Sequence, residues 1–593
     1  MNHAVLTRSP ELLNKKFVEY LAPTLLMNVS LAITNVVNAV IVGHLLGPDA
    51  LAAVNLCMPA LSLANAVFNT VIMGACTLIV AEKGRMNASS ADRYFTQLAD
   101  FGMGIMLVIP LAILLFLQPL ALLFMGGVEN PSMRALVTAY LFPIAFSFPF
   151  VFLALSGSMV LRTEGWPRFG ALVVLAANVV NLIAAILLIY LFKMGIAGAA
   201  WGTVIGFAAG ALLTMRYFFE PARTLHFCRL GKNPFRGFMD VVMTGLPSGS
   251  TSLLMFARVL LLNALIFRLF ENGGAAAFAV CTSAQYFAVM FLLGVTGAMQ
   301  PISAMLFGER DYTGLKFLVR TGLGTAVPIM TLFAVFFFAA PDFVGNLYGL
   351  TGSGRLYLPD ALRALALTLP LCAVNYYYLT YSQTIRRIAL GLTLSIASGF
   401  GWIAVLSPLF YAVFPRYFWY LLPAAEFFTS LTLVSAMMFL HKRENVSWIL
   451  VRKEPYPALE LSVRQSDNAL SSLSERFIKF CAQNRFNSER THAADRLVRE
   501  IAEPVLRHLD NNSRRVLFDL VVKIEQGTMT GRFRISGADA VFSDAPNAPG
   551  NSKIERLRQL ASEVRVMQTL GFYIVFFRII PKNDFDEGDK NER

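Results

Sequence analysis

The chain has 593 residues, of which 56% are hydrophobic and only 15% are charged, with a formal net charge of +13. A mean hydropathy of +0.58 excludes a soluble globular protein of this size, because such a protein cannot bury so much apolar surface. Basic loops beside a membrane account for the positive charge without nucleic acid as a partner, and the spacing of the six cysteines indicates neither a disulfide framework nor a metal site.

In chain order, a polar segment (1–16) comes first and shows no cleavable signal peptide. Apolar segments follow as far as about residue 440. A membrane span needs about 20 apolar residues, and twelve segments reach this length. They lie at 17–43, 51–81, 95–123, 133–157, 169–192, 195–218, 241–268, 274–304, 317–340, 361–385, 388–411 and 417–440.

Lysine and arginine cluster in alternate loops, and the even number of spans places both termini on the side that carries these clusters. By the positive-inside rule this side is the cytoplasm. We therefore expect a multi-pass protein of the bacterial inner membrane with both termini cytoplasmic.

The apolar part also repeats itself. The shift from Pro23 to Pro247 is 224 residues, and the shift from Gly74 to Gly297 is 223. Two halves in the same orientation form a parallel repeat, and such halves typically enclose a cavity near the middle of the bilayer. The sequence thus predicts an all-α polytopic membrane protein with twelve transmembrane helices in two six-helix lobes, 17–218 and 241–440. A cytoplasmic loop (219–240) joins the lobes.

Several stretches of both halves form recognisable motifs. They read VNAVIVGHLLGPDALAAVNLCMP, VLRTEGWPRFG and NVVNLIAAILLIYLFKMGIAGAAWGTVIG in the first half, and GLPSGS, GAMQPISAMLFGERD and QTIRR in the second. Together these stretches resemble the multidrug and toxic compound extrusion (MATE) family. The similarity covers about residues 15–440. It implies an antiporter that works by alternating access and exports small organic, cationic or amphipathic compounds in exchange for H⁺ or Na⁺.

Four positions depart from the coupling carboxylates of that family. The resemblance implies acidic residues at the positions of Asn38 and Ala185 in the first lobe and of Met255 and Asn375 in the second, whereas Asn181 agrees with the family pattern. The resemblance therefore implies the fold but does not supply the coupling mechanism.

Amides take the place of charges in the first lobe. Asn28, Asn35 and Asn38 fall within about 80° of one face of the first span, and Asn178 and Asn181 form a pair on the fifth. Two interpretations stay open: the amides line a wet cavity that binds substrate, or they join helices by hydrogen bonds.

The second lobe carries two ionisable residues in mid-span, Arg258 and Glu426. A charge at that depth costs about 2.5–3.5 kcal/mol on insertion scales, so each is expected to face a cavity or a partner. Glu426 is either a protonatable coupling site or one half of a fixed ion pair with Arg258. Asn375 and Tyr376 are further candidates for the substrate cavity of this lobe.

After a linker (441–456), residues 457–580 have the pattern of a soluble α/β domain, followed by an acidic tail (581–593). The predicted elements are a strand in ALELSVRQ, helices in SSLSERFIKFCAQ and THAADRLVREIAEPVLRHLD, a strand pair in RVLFDLVVKIEQGTMTGRFRISG, a helix in KIERLRQLASEV and a strand in GFYIVFFRII. Their order resembles the histidine-kinase-like ATPase fold of anti-sigma-factor kinases.

The nucleotide positions of that fold are altered here. Pro504 stands where the resemblance implies a Mg²⁺-binding asparagine, and Arg499 and Glu500 stand where it implies two acidic residues. Gly537-Ala538-Asp539 replaces the turn that reads adenine. We therefore expect a degenerate domain that binds no nucleotide and serves as a regulatory or interaction module, with a protein partner as one possibility.

The leading interpretation is an inner-membrane exporter of the MATE type with a cytoplasmic accessory domain. It is not an enzyme, and no catalytic residue, cofactor or metal is expected. One alternative is a flippase for lipid-linked precursors from the same superfamily. The other is a membrane sensor that no longer transports and signals through residues 457–580.

Overall fold

The structure is a computed structural model that describes residues 5–125, 130–220, 223–231, 234–350, 352–451, 456–466, 468–508, 516–536 and 552–580. The chain divides into two compact units. The helical unit comprises Phe17–Glu82 and Ala88–Val451, and the sheet unit comprises Met1–Lys16, Lys83–Asn87 and Arg452–Arg593.

Among the described residues, fifteen α-helices precede the second strand. They are α1 (Glu11–Leu46), α2 (Pro48–Leu56), α3 (Met58–Gly84), α4 (Ala88–Leu115), α5 (Leu117–Phe124), α6 (Pro131–Thr163), α7 (Pro167–Ile186), α8 (Ile196–Met215), α9 (Phe238–Gly308), α10 (Tyr312–Ala339), α11 (Pro341–Leu347), α12 (Gly354–Thr384), α13 (Ile388–Ile396), α14 (Trp402–Ala412) and α15 (Leu421–Glu444). Two π-helical segments, Leu187–Leu191 and Ala397–Gly401, continue α7 and α13.

In the described part of the chain, eleven helical segments are long and apolar enough to cross a membrane. One of them, α9, has 71 residues. At about 1.5 Å per residue it would be roughly three and a half times as long as the hydrocarbon core of a bilayer is thick. It is interrupted at Glu271, whose backbone is not helical (φ 49°, ψ −147°), and the expected spans 241–268 and 274–304 lie on either side of this break.

Two expected spans are interrupted near a proline. The second expected span is divided at Cys57, just before Pro59, and the third at Phe116, just before Pro119. Each proline lies in the first turn of the helix that follows. Proline is tolerated there, whereas inside a continuous helix it would remove a hydrogen bond and clash with the preceding turn.

Glycines allow α7 and α8 to pack closely. Gly198, Gly202, Gly206 and Gly210 follow one another at intervals of four along α8. A Cβ atom built on Gly206 would lie 2.5 Å from the carbonyl oxygen of Ala177, and one on Gly202 would lie 2.8 Å from Ala185. Stripes of small residues bring membrane helices together in this way.

The two lobes touch through an equally close contact between α3 and α9. A Cβ atom on Gly245 would lie 1.7 Å from the carbonyl oxygen of Thr70, and one on Gly74 would lie 2.0 Å from the carbonyl oxygen of Val241. The hydroxyl of Thr24 on α1 also donates to the carbonyl of Gly294 on α9 (2.9 Å). The lobes therefore meet through backbone atoms, which cannot move aside as a side chain can.

Gly245→Ala is expected to destabilise this arrangement of the lobes, since overpacking costs about 1–3 kcal/mol. The ratio of molecules in this arrangement to molecules in other arrangements should fall roughly tenfold. The measurement is the distance distribution between one spin label on each lobe. Gly324→Ala on α10 is the matched control, because a Cβ atom there meets nothing within 4 Å. An unchanged distribution for Gly245→Ala would contradict the rigid contact.

The sheet unit contains one antiparallel sheet with the strand order β1-β2-β3-β4-β6-β5. The strands are β1 (Val5–Thr7), β2 (Ala458–Arg464), β3 (Val516–Glu525), β4 (Thr528–Ser536), β5 (Glu563–Thr569) and β6 (Phe572–Ile579), and the helices are α16 (Ala469–Gln483), α17 (Ser488–His508) and α18 (Ser552–Leu560). Phe477 of α16 and Leu497 of α17 share a buried core with Phe518, Phe533 and Phe577 of the sheet.

The segment KIERLRQLASEV is helical only as far as Leu560, so the prediction of a helix through Val564 is wrong at its end. A strand, β5, begins at Glu563. The reason is a change of period: Val564 and Val566 are buried while Arg565 between them is exposed, which is the alternation of a strand.

Strand β1 comes from the other end of the chain. Val5 pairs with Val463 and Thr7 with Leu461 of β2, and the amide of Ser9 donates to the hydroxyl of Ser462 (2.9 Å). Residues 1–16 were expected as a separate cytoplasmic segment, and nothing in the sequence analysis anticipated this strand. Three residues of moderate hydrophobicity carry too weak a pattern to be recognised alone.

A buried group of charges lies beside this strand. Arg8 Nη1 is 3.2 Å from Asp519 Oδ2, Arg534 Nη1 is 3.7 Å from the same oxygen, and the hydroxyl of Ser462 donates to Asp519 Oδ1 (2.6 Å). All three charged side chains are at most 4% exposed. One carboxylate of β3 thus joins the N-terminal segment to β2 and β4.

Candidate functional site

The deepest charges of the second lobe form one cluster around Glu426 of α15. Glu426 Oε1 lies 3.8 Å from Arg258 Nη1 and accepts a hydrogen bond from the Ser398 hydroxyl (3.1 Å). Glu426 Oε2 accepts a bond from the Asn375 amide (2.8 Å). Glu426 is 2% exposed and Arg258 is 6% exposed. The structure thus places Arg258 beside Glu426, the pairing that the sequence analysis had considered, and adds Asn375, which was singled out independently of them.

Four elements of the second lobe supply this cluster. Arg258 lies on α9, Asn375 on α12 and Glu426 on α15, while Ser398 lies in the π-helical segment after α13. A π-helical turn widens a helix and is frequent at functional sites. Here the carbonyl of Ser398 accepts a long hydrogen bond from Arg258 Nη1 (3.5 Å), so this turn presents a donor to Glu426 and an acceptor to Arg258.

Asn375 fixes the position of the carboxylate. Its amide nitrogen also donates to the backbone carbonyl of Glu426 (3.0 Å), and its oxygen accepts a bond from Ser430 (3.0 Å). Every polar atom of the Asn375 side chain therefore has a partner on α15. This geometry suits a carboxylate held for exchange between a proton and a neighbouring cation, and it suits a permanent ion pair equally well.

Ser398 and Ser430 are members of this cluster that the sequence analysis missed. Ser430 follows Glu426 by four residues and therefore lies on the same face of α15, which is a signal that could have found it. Ser398 gives no such signal, because only the tertiary arrangement of the π-helical segment brings it to Glu426.

The amides of the first lobe are not gathered into one site. Asn28 donates to the carbonyl of Thr24 in its own helix (2.8 Å), and Asn178 of α7 donates to Ser30 of α1 (3.3 Å). Asn181 is 4% exposed, and its side-chain oxygen has no hydrogen-bond partner in the described part of the chain. It packs against Gly206 of α8.

Asn35 and Asn38 lie further along α1. The amide of Asn35 donates to the hydroxyl of Tyr286 on α9 (3.1 Å) and is exposed, so it bridges the two lobes. Asn38 is half-buried. The three amides that were expected on one face therefore differ in their surroundings. Asn28 makes a hydrogen bond within its own helix, Asn35 contacts the other lobe, and Asn38 is half-buried.

The remaining cavity candidate and two of the altered family positions differ in exposure. Tyr376 is half-buried beside Asn375, Met255 of α9 is 40% exposed, and Ala185 of α7 is 2% exposed. The close approach of α8 to Ala185 leaves little room for a longer side chain at that position.

The positions altered in the ATPase-like pattern lie on α17. Arg499 forms an ion pair with Asp495 (2.9 Å), Glu500 forms one with Arg496 (3.4 Å), and Pro504 lies inside the helix. Gly537-Ala538-Asp539 lies outside the described residues. Within the described ranges, no group of three or more His, Cys, Asp or Glu side chains is arranged to hold a metal ion.

Curated relatives of this chain include multidrug exporters. The chain is 24% identical over 294 residues to the multidrug export protein MepA of Staphylococcus aureus (strain bovine RF122 / ET3-1), a match that covers 49% of this chain and 64% of that protein. It is 22% identical over 325 residues to MepA of Staphylococcus saprophyticus, covering 55% of this chain and 71% of that protein. The chain thus spans less than two thirds of the first relative.

Solved structures share the fold. A crystallised mutant of the Vibrio cholerae MATE transporter VcmN superposes with a TM-score of 0.68 at 19% identity, covering 73% of this chain and 97% of that one. A MOP superfamily transporter from Pyrococcus furiosus, described with a reversed polarity of its binding pocket, gives 0.66 at 19% identity and covers 72% of this chain and 96% of its own.

The family model MatE matches twice, at residues 23–187 and 247–411. The two matches have equal lengths and are offset by the same 224 residues as Pro23 and Pro247. Since they cover more than half of the chain, this protein belongs to the MatE family.

Proposed function

We propose that this protein is a MATE-type antiporter of the bacterial inner membrane that exports small organic compounds of cationic or amphipathic character. The observation that carries the proposal is the double family match at residues 23–187 and 247–411. Two related lobes in one helical unit are the arrangement on which alternating access depends. The names of the MepA relatives support multidrug export as the activity.

The membrane part has twelve spans in this proposal. Counting α9 as two helices on either side of Glu271 turns eleven candidate segments into twelve, six in each lobe. Twelve spans and the basic loops support cytoplasmic termini.

Coupling belongs to the second lobe in this proposal. Glu426 is the one acidic side chain in the network of Arg258, Asn375 and Ser398, and a carboxylate can exchange a proton while an amide cannot. Because Arg258 already supplies a cation to this carboxylate, we propose that Glu426 exchanges H⁺ rather than binding Na⁺. The amides of the first lobe would bind substrate or hold helices together.

The two alternatives differ in what they require. A flippase for anionic precursors needs cationic side chains that face the cavity, but Arg258 is occupied by Glu426, which argues against that activity. A sensor without transport fits the altered carboxylates and the altered ATPase-like residues equally well, and only a transport measurement separates it from an exporter.

The sheet unit is a non-enzymatic accessory module in this proposal. Pro504 inside α17 supplies no amide side chain for Mg²⁺, and the neighbouring Arg499 and Glu500 are engaged in ion pairs along the helix. These residues support a domain that keeps an ATPase-like order of elements without binding nucleotide, and that acts on the transporter or on a protein partner.

The deciding experiment is a flux assay with the full chain in proteoliposomes. Uptake of a fluorescent organic cation is compared with a pH gradient, with a Na⁺ gradient and with neither. Flux that depends on the pH gradient supports the proposal. Flux that depends on the Na⁺ gradient alone would contradict H⁺ coupling. If lipid-linked probes are transported but organic cations are not, the flippase is favoured.

Asn38→Ala is expected to weaken binding or stability but to leave the ion dependence of flux unchanged, because an amide has no charge to exchange. Asn38→Asp is expected to add a new pH dependence, since a carboxyl at this half-buried position can take up and release a proton. Flux measured at several pH values tests both variants. Loss of coupling in Asn38→Ala would show that the first lobe takes part in coupling.

A further inference from the structure

Two adjoining cavities lie in the first lobe, apart from the Glu426 cluster. The first has a volume of about 390 Å³ and is lined by residues of α4, α6 and α8 together with Tyr217, Phe218 and Phe227. The second has a volume of about 370 Å³ and is lined by Trp166, Phe169, Arg216, Tyr217 and Glu220. Both volumes fall in the range of ligand pockets, about 300–1,000 Å³.

The first cavity, which we call the chain cavity, accepts only an apolar ligand. Phe95, Met103 and Phe152 contribute to its wall. Its hydroxyl groups are already engaged: Ser156 donates to the carbonyl of Leu153 (3.4 Å) and Thr214 to the carbonyl of Gly210 (3.1 Å). The Tyr217 hydroxyl donates to Glu164 (3.1 Å). A polar or charged ligand would lose its own hydrogen bonds there.

The second cavity, which we call the head cavity, carries one positive and one negative side chain. Arg216 lies over the ring of Phe169, with 5.6 Å between its guanidinium carbon and the ring centre. Among the described residues, neither Arg216 nor Glu220 has an ion-pair partner within 4 Å, although both line the same cavity. Arg216 therefore offers a site for an anion and Glu220 a site for a cation.

Tyr217 is the wall that the two cavities share. Its ring lies 6.5 Å from the ring of Phe95 on the side of the chain cavity and 6.1 Å from Trp166 on the side of the head cavity. A ligand that carries an apolar chain next to a zwitterionic group could therefore occupy both cavities at once, with the chain on one side of the Tyr217 ring and the charged group on the other.

We propose that these cavities bind one zwitterionic glycerophospholipid, with an acyl chain in the chain cavity, its phosphate beside Arg216 and its ammonium group beside Glu220. The surrounding bilayer supplies such a molecule to a helical protein of this kind. The elements agree in depth. The lining residues of α4 lie between positions 95 and 103, from near its start to its middle, and those of α6 and α8 come from their last turns. A headgroup at Arg216 would lie next to these helix ends.

The test is photolabelling of the full chain in nanodiscs with phosphatidylethanolamine that carries a diazirine in one acyl chain. We expect labelled peptides from 95–103, 152–160 and 214–218. Ala99→Trp, which fills the chain cavity, should lower this labelling at least fivefold. Ala112→Trp on the exposed side of α4 is the matched control and should leave it unchanged. Ser156→Leu provides a second cavity-filling variant with the same expected loss.

The headgroup is tested by varying probe and residue together. Glu220→Gln should reduce labelling by the phosphatidylethanolamine probe but not by a phosphatidylglycerol probe, which lacks the ammonium group, whereas Arg216→Gln should reduce both. A diazirine fatty acid should label the chain cavity several times less than the phospholipid. Equal labelling by all three probes, or labelling that neither cavity-filling variant reduces, would overturn the proposal.

Discussion

Arg258→Met is expected to lower the free energy of unfolding of the helical unit by about 3–5 kcal/mol, because it leaves Glu426 as a buried charge without its cation. The two side chains are 8% and 3% exposed and lie 3.8 Å apart, so water cannot replace the lost partner. The measurement is the thermal unfolding midpoint in detergent. Arg268→Met is the matched control, since Arg268 is exposed on the same helix.

The double variant Arg258→Met with Glu426→Gln separates the two interpretations of the cluster. It should recover much of the lost stability, because no buried charge then remains. If the cluster also couples transport, Glu426→Gln alone should abolish the pH dependence of flux in protein that is still folded. A stable Arg258→Met protein with normal coupling would exclude both roles for this pair.

Asp519→Asn is expected to destabilise the sheet unit by about 3 kcal/mol, because it removes the buried carboxylate shared by Arg8 and Arg534. Limited proteolysis of the full chain measures this effect as faster cleavage between residues 456 and 580. Glu525→Gln, at the exposed end of the same strand, is the control. Arg8→Met should have a smaller effect, since Asp519 keeps Arg534. Equal protection of Asp519→Asn and the control would contradict the structural role of this group.

Much of the candidate site followed from the sequence for a simple reason. A charge in mid-span is costly, so Arg258 and Glu426 could each be expected to have a partner. As the two oppositely charged residues in mid-span of the second lobe, they were candidates to pair with each other. Asn375 was singled out for a different reason, its place in the family pattern, and its bond to Glu426 spans 51 residues, a distance over which a single sequence carries no signal. The first-lobe amides could be located on helices, but their separate partners depend on helix rotation.

The fold likewise has features that carry a local signal in the sequence and features that do not. The duplication and the long apolar segments could be recognised, since membrane spans have a fixed length. The breaks at Cys57 and Phe116 had a local sign in the prolines that follow them, which a count of apolar residues passes over. Strand β1 had no local sign at all, because it exists only through pairing with a segment more than 450 residues away.

That pairing sets the order in which the molecule can be completed. Val5 precedes every helix of the helical unit in the chain, whereas its partner Val463 follows all of them. At about 5–20 residues per second, strand β1 waits roughly half a minute to a minute and a half for β2. So distant a contact is slow to form. The β1–β2 pair can therefore close only after synthesis of both lobes is over, so its formation reports that the helical unit has been made.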